Sequence, residues 1–233
     1  MRQFVCLGHD VPLDGDFSLD DLAGGAGRLD AICRSVTAAL LRSHGIREDV
    51  RVHLVLGDEL TIQIDGATVR RLNPDERSTA ARIRDALAHR EEAIGAIPAE
   101  PSPGFSLYRR GLADTLDALD DGVGGPEKGV GGTGMGDGER DGGVEGRDGV
   151  EEGRDEGVEI IHLHEEGEPL VDRPLPASPV FVLSDHHEFT EREASIIADR
   201  ADRSVRLGPV ALHADQAITV AHHALDTNGY EAF

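Results

Sequence analysis

The residues best suited to chemistry fall in three late segments of the chain. They are His162 and His164 in VEIIHLH, Ser184-Asp185-His186-His187 in PVFVLSDHHEF, and Gly208-Pro209 in SVRLGPVALHADQAITVAHHALD. Asp and His side chains at a strand tip can exchange protons near neutral pH. An x-His-x-His pair on one strand face is compatible with metal ligation, but such pairs more often simply occupy a polar face. No cysteine pair or charged nucleophile accompanies them, so these loops are expected to hold a small molecule largely through backbone groups. A second group is cationic: Arg70, Arg71, Arg77, Arg82, Arg84 and Arg90 surround one loop and helix start. They form either a phosphate-facing patch or a set of ion pairs with nearby Asp and Glu. Arg28 and Asp30 open an earlier helix and read most simply as a solvated first turn.

These residues need elements to position them. VEIIHLH and PVFVLS have strand character, the second being a continuous apolar run of the kind buried in a parallel sheet. Thr190 with Glu193 three residues on marks a helix start. SVRLG is a further strand, Gly208-Pro209 forces a turn, and His213 to Asp226 closes the chain as a helix with Ala214, Ala217, Ile218, Ala221 and Leu225 on one face. Each apolar run ends in small or polar residues, where parallel strands of an open α/β sheet meet their ligands. A turn is expected at EEGEP.

Upstream, Arg2 to Gly8 reads as a strand, and Leu29, Ile32, Cys33, Val36 and Leu40 repeat at helical spacing, with the helix expected to end near His44 and Gly45. Val50 to Leu56 and Leu60 to Asp65 read as a hairpin around GDE, with a short strand from Thr68 to Arg70. In RRLNPDERS, Asn73 is expected to cap, Pro74 to take the first helical position, and Asp75 and Glu76 to complement the helix dipole. PAEPSPGFS reads as a proline-rich loop that could order on binding or equally be an ordinary connector, and SLYRRGLADTLDALDD as a helix with Arg109 and Arg110 adjacent.

The chain has 233 residues, a formal net charge of -22 and a sequence pI of 4.7, and Lys128 is its single lysine. Such a balance suits a salt-loaded cytoplasm, where the Debye length falls to roughly 3 Å near 1 M; the plainer reading is a merely acidic protein. Acidity argues against nonspecific nucleic-acid binding at low salt but leaves room for a local arginine patch. Cys6 and Cys33 read as buried free thiols. No apolar run approaches a membrane span, and the first residues lack a signal peptide's apolar core, so a cytoplasmic location is expected. Residues 122–157 differ in kind: about two in five are glycine, most others Asp, Glu, Arg or Val. We read this stretch as a disordered acidic insertion, and its GVGGTGMG lacks the flanking strand and helix of a dinucleotide fingerprint.

Taken in order, RQFVCLGHD, GAGRLDAICRSV, HGIREDVRVHLVL, RRLNPDERS, FVLSDHHEF and RLGPVALHADQAITVAHHALD resemble the archaeal tRNA (pseudouridine(54)-N(1))-methyltransferase family of the SPOUT superfamily. The resemblance spans residues 1–121 and 158–233 as one domain. It implies an α/β fold with a mostly parallel sheet flanked by helices and a deep C-terminal trefoil knot within 158–233. It further implies a homodimer that methylates N1 of pseudouridine 54 in tRNA using S-adenosylmethionine, with no metal. Carried over by position, the donor contacts fall on Leu163, Ser184, Leu207, Gly208, Pro209, Val210, Ala211, Leu212 and Ala217. Three of these depart from the family pattern, Ser184 standing for a glycine, Gly208 for a serine and Ala217 for a cysteine. Asp185 and His186 are the catalytic candidates, and Arg28, Asp30, Arg71, Asp75 and Arg77 the candidates for RNA recognition. Rival readings are another RNA target, either a ribosomal pseudouridine or a 2'-hydroxyl, and a noncatalytic RNA-binding protein of this fold. Asp185-His186-His187 also spells the motif of DHH phosphoesterases, but VRVHLVL and RQFVCLG offer none of the aspartate-rich metal motifs that class needs.

Overall fold

The computed structural model describes residues 1–122 and 157–232. The stretch read as an insertion therefore lies almost wholly outside the described residues. The chain begins with β1 (Arg2–Gly8), α1 (Leu29–Leu40), a two-stranded ribbon of β2 (Leu41–Arg42) and β3 (Gly45–Ile46), and the hairpin β4 (Val50–Leu56) and β5 (Leu60–Asp65). Next come α2 (Glu76–Ala88), β6 (Ala99–Ser102), β7 (Phe105–Tyr108) and α3 (Leu112–Asp120). The last part holds β8 (Glu159–Pro169), β9 (Pro179–Leu183), α4 (Glu191–Arg200), β10 (Arg203–Arg206) and α5 (Ala214–Asp226).

Eight strands form one sheet in the order β10-β8-β9-β1-β4-β5-β7-β6, parallel from β10 through β4 and antiparallel beyond it. Side-chain alternation divides the core into two layers. Phe4, Cys6, Val52, Leu54 and Phe181 pack with Leu29, Ile32, Ile83 and Ile218 from α1, α2 and α5 on one face. Val5, Leu7, Val55, Val180 and Val182 pack with Leu112, Leu116 and Ile197 from α3 and α4 on the other. Both cysteines are free and buried. At the centre, the Phe4 and Phe181 rings stack at 5.5 Å, and the His222 ring of α5 meets Phe4 edge-on at 5.0 Å.

Several local expectations are corrected. The first helix stops at Leu40, before His44 and Gly45, because β2 and β3 pair there, Leu41 with Ile46 and Arg42 with Gly45. Thr68 to Arg70 is not a strand: the Asp65 carboxylate accepts from Ala67 N–H and its carbonyl from Thr68 and Val69 N–H, which curls the chain into a turn. Asp75, rather than Asn73, caps α2, accepting from Ser78 N–H at 2.7 Å. The proline-rich loop is a hairpin on the sheet margin, and Pro101 is tolerated because β6 is the outermost strand. The helix expected from Ser106 begins only at Leu112, since Thr61 to Ile64 of β5 hold Tyr108 to Phe105 in a ladder. EEGEP is strand rather than turn, and the register against β10 jumps between Ser204 and Val205, with Gly167 pressed against the Val205 backbone.

Candidate functional site

The segments singled out for chemistry meet at the carboxyl ends of β8, β9 and β10. A cleft of ≈ 590 Å³ opens there, between the strand ends, the loop leading into α4 and the loop from Leu207 to His213. Of the nine donor candidates, Leu163, Ser184, Leu207, Gly208, Val210, Ala211, Leu212 and Ala217 all line it. Pro209 instead lines an adjoining cavity of ≈ 550 Å³ that also meets Leu207, Gly208 and Tyr230.

The cleft's wall is a surplus of unused polar groups. The N–H groups of Gly208, Val210, Ala211 and Leu212 have no partner among the described residues. Ser184 Oγ and His162 Nε2 are buried with no hydrogen-bond partner. Buried donors and acceptors left in this state cost about 1–3 kcal/mol each unless a ligand or water meets them. Such a wall suits a small molecule rich in acceptors and donors, as S-adenosylmethionine is. Apolar surface comes from Leu163, Phe189 and Ala217. Burial, then the neighbouring His164, lowers the His162 pKa, so this ring is neutral and can donate or accept. No atom lies within 4 Å of where a Gly208 Cβ would stand, so the wall has open space at this position.

Asp185 sits at the lip, its side chain only 1% exposed. One oxygen meets His9 Nδ1 at 2.9 Å and accepts the His187 N–H at 2.8 Å, and the other accepts the His9 N–H at 3.0 Å. The second ring nitrogen of His9 lies 3.1 Å from Glu193, which also completes the capping box of α4 with Thr190. Burial opposes protonation of His9, but its bonds to Glu193 and Asp185 outweigh that and raise its pKa above the usual histidine value. His9 thus ties β1 to both ends of the β9–α4 loop. His186 stands beside Asp185 and is exposed. His187 pairs with Asp10 at 2.8 Å, and Asp10, His186 and His187 bring their ligating atoms within 4.8 Å of one another on the exposed surface.

The RNA candidates divide into two places. Arg28, in left-handed backbone at φ 59, holds both oxygens of Asp30 at 2.9 and 3.1 Å, and Arg34 adds a third bond at 2.8 Å. The Arg28 bond first, then Arg34 against an opposing burial effect, brings the Asp30 pKa down to about 2. Gly27 packs so tightly on the Asp10 carbonyl that no side chain would fit, which sets this turn against the loop that follows β1. Arg28 also feels the charge of Asp185. Arg71, Asp75 and Arg77 lie instead at the start of α2, where Asp75 serves as cap and Arg77 pairs with Asp20. Arg34 joins the two places through Glu76 at 3.1 Å.

His9, Arg34, Phe189 and Glu193 belong to this site yet were not site candidates, and His162, weighed only as a metal-compatible or polar-face residue, lines the cleft. Glu193 was legible as a capping residue; nothing local to His9 signals a partner at Asp185, far along the chain.

A family model described as "Putative SAM-dependent RNA methyltransferase" matches residues 1–123 and 143–230. A tRNA (pseudouridine(54)-N(1))-methyltransferase of Haloarcula marismortui is 54% identical over 233 residues, covering 100% of both chains. One from Haloferax volcanii is 52% identical over 100% of both chains, and one from Methanococcoides burtonii 34% identical over 98% of this chain and 97% of its own. Among solved structures, Archaeoglobus fulgidus Nep1 bound to S-adenosylhomocysteine has a TM-score of 0.53 at 13% identity, over 99% of this chain and 98% of that one. This likeness supports the same α/β fold. The chain belongs to the tRNA (pseudouridine(54)-N(1))-methyltransferase family of SAM-dependent RNA methyltransferases.

Proposed function

We propose that the chain methylates N1 of pseudouridine 54 in tRNA, with S-adenosylmethionine held in the cleft at the ends of β8, β9 and β10. The carrying observation is that Gly208, Val210, Ala211 and Leu212, whose N–H groups have no partner among the described residues, line one cleft with the orphaned Ser184 Oγ and His162 Nε2. Leu163, Ser184, Leu207 to Leu212 and Ala217 would hold the donor, mostly through backbone groups. Once bound, the donor supplies an electrophilic methyl group. The chain's own task is to orient the base, exclude water and take up the N1 proton. Asp185 already accepts three hydrogen bonds, so its role is to fix the lip of the cleft and present negative charge there. His186, exposed beside it, is the group assigned to proton exchange with the base. Arg28 and Asp30 face the same end of the sheet, and Arg71, Asp75 and Arg77 extend the RNA surface along the start of α2.

We further infer that the C-terminal segment is knotted. Supporting this, β9 leads through α4 to β10 on the far side of β8, and α5 then lies on the opposite face of the sheet from α4. The homodimer is assigned to the outer face of α1 and α5. There Thr37, Ala38, Leu41, Thr219 and Val220 line a shallow depression of ≈ 480 Å³. Among the described residues no helix is long and apolar enough to cross a membrane.

The test is methyl transfer from labelled S-adenosylmethionine to tRNA bearing either pseudouridine or uridine at position 54. Transfer to the pseudouridine form alone is the expected result. Transfer to both moves the target to another atom, and no transfer with the donor bound favours a binding role.

A further inference from the structure

A second cavity among the described residues is larger than the donor cleft. It measures ≈ 1350 Å³ and opens at the other margin of the sheet, between β5, β7, α3 and the loop that precedes β6. Sites for one small molecule run to about 300–1,000 Å³, so this one is sized for a length of polymer.

Its charge is balanced in a protein at -22: three arginines line it with three carboxylates, Asp65, Glu100 and Asp114. Arg51 is bound to Asp65 at 2.7 Å, and Arg109 to Glu91 and the Ala93 carbonyl, both at 3.1 Å. Arg110 has no carboxylate partner among the described residues: its guanidinium lies over the Tyr108 ring at 4.0 Å, and its Nε is buried with no hydrogen-bond partner. Desolvation pulls its pKa below the usual arginine value, with Tyr108 and Asp114 opposing more weakly. The remaining acids, Glu100 and Asp114, are exposed. Gln63 offers an amide for hydrogen bonding, and Ile97 stands 69% exposed at the rim.

A flat cation stacked on an aromatic ring, an amide beside it and an apolar rim are the parts that hold an unpaired nucleotide and its phosphate. Building on the methyltransferase reading, we propose that this cleft binds a stretch of the substrate tRNA away from the methylated base, with Arg110 meeting a backbone phosphate. The RNA then spans the sheet, its target base at one margin and this anchor at the other.

The experiment uses the full chain and tRNA bearing pseudouridine 54, with affinity read by fluorescence anisotropy over a KCl series. Arg110→Gln is expected to weaken tRNA binding about tenfold and to lower the salt slope by about one. Single-turnover methylation at saturating tRNA and calorimetric binding of S-adenosylhomocysteine stay at wild-type values. Arg110→Lys keeps the slope. Ile97→Glu, a surface change that cannot disturb the core, weakens tRNA binding in the same direction and decides the matter should Arg110→Gln fail to fold. Wild-type tRNA affinity in Ile97→Glu and in a folded Arg110→Gln overturns the proposal while leaving the enzyme reading intact. A wild-type protein that methylates no pseudouridine-54 tRNA removes both.

Discussion

The imidazole of His9 lies 2.9 Å from the carboxylate of Asp185 although 176 positions separate them in the chain. The same ring reaches Glu193 at 3.1 Å, so one side chain joins the end of β1 to the two ends of the loop that walls the donor cleft.

His9→Phe therefore frees that loop. We expect S-adenosylhomocysteine affinity to fall about tenfold, with a loss of roughly 1–3 kcal/mol in stability from the unpaired carboxylates. The pH dependence has a definite sign. Because the folded pKa of His9 is raised above 6.5, its contribution is complete below the unfolded value and disappears as pH rises through the higher folded one. Thermal melts of wild type and His9→Phe against pH should converge on the alkaline side; a constant gap would show that the ring acts by packing alone.

The donor cleft is expected to respond to volume at Ala217 and not at Gly208. Ala217 is 8% exposed and lines the wall, so Ala217→Leu should abolish measurable donor binding. Gly208 has open space around it and no positive φ, so Gly208→Ala should hold affinity within about threefold, less than 1 kcal/mol. Calorimetry with S-adenosylhomocysteine checks both.

Asp30→Asn removes the carboxylate that gathers Arg28 and Arg34. Arg28 then loses its carboxylate while Arg34 keeps only Glu76 and the more distant Asp215, and we expect a cost of about 1–2 kcal/mol in urea unfolding together with weaker tRNA binding. In the wild type, the depressed pKa of about 2 means that this contribution is present above about 4 and fades as pH falls toward 2. Donor affinity that follows the stability loss, with tRNA affinity unchanged, would place Asp30 in the scaffold only.

Asp226 ends α5 and accepts from Arg2 at 2.5 Å and Arg47 at 2.8 Å. Burial alone would raise its pKa; the two arginines reverse this and bring it to about 2. The carboxylate is 39% exposed, so solvent screening limits the effect, and Asp226→Asn should cost about 1 kcal/mol or less. Urea denaturation at neutral pH measures it, and the difference should vanish in strong acid.

The parallel core strands and the amphipathic helices were legible because their apolar residues alternate or repeat cleanly, as in PVFVL and in Leu29 to Leu40. Eight of the nine donor candidates line one cleft, most of them because they follow strand ends, where an α/β sheet leaves room. What the sequence concealed was contact between distant parts. EEGEP carries turn residues, yet its strand continues because Gly167 accommodates the backbone of β10. PAEPSPGFS reads as loop until its place at the sheet margin is known. Arg110 was visible as a charge; its lack of a carboxylate partner depends on where Asp65 and Glu91 are already engaged.

The position of β1 has a consequence for how the protein is made. It lies inside the sheet, between β4 and β9, so Gln3 to Cys6 pair with Val180 to Leu183. During synthesis the first strand leaves the ribosome early and can pair with β4 at once. Its other edge, with Val5 and Phe4 on it, stays open until the last quarter of the chain emerges. An apolar edge held open for so long invites pairing with other chains. The late arrival of β9 closes that edge and brings Asp185 to His9 in the same step, so the sealing of the inner sheet and the placing of one wall of the donor cleft are one event in folding, which β10 and the loop after it then complete.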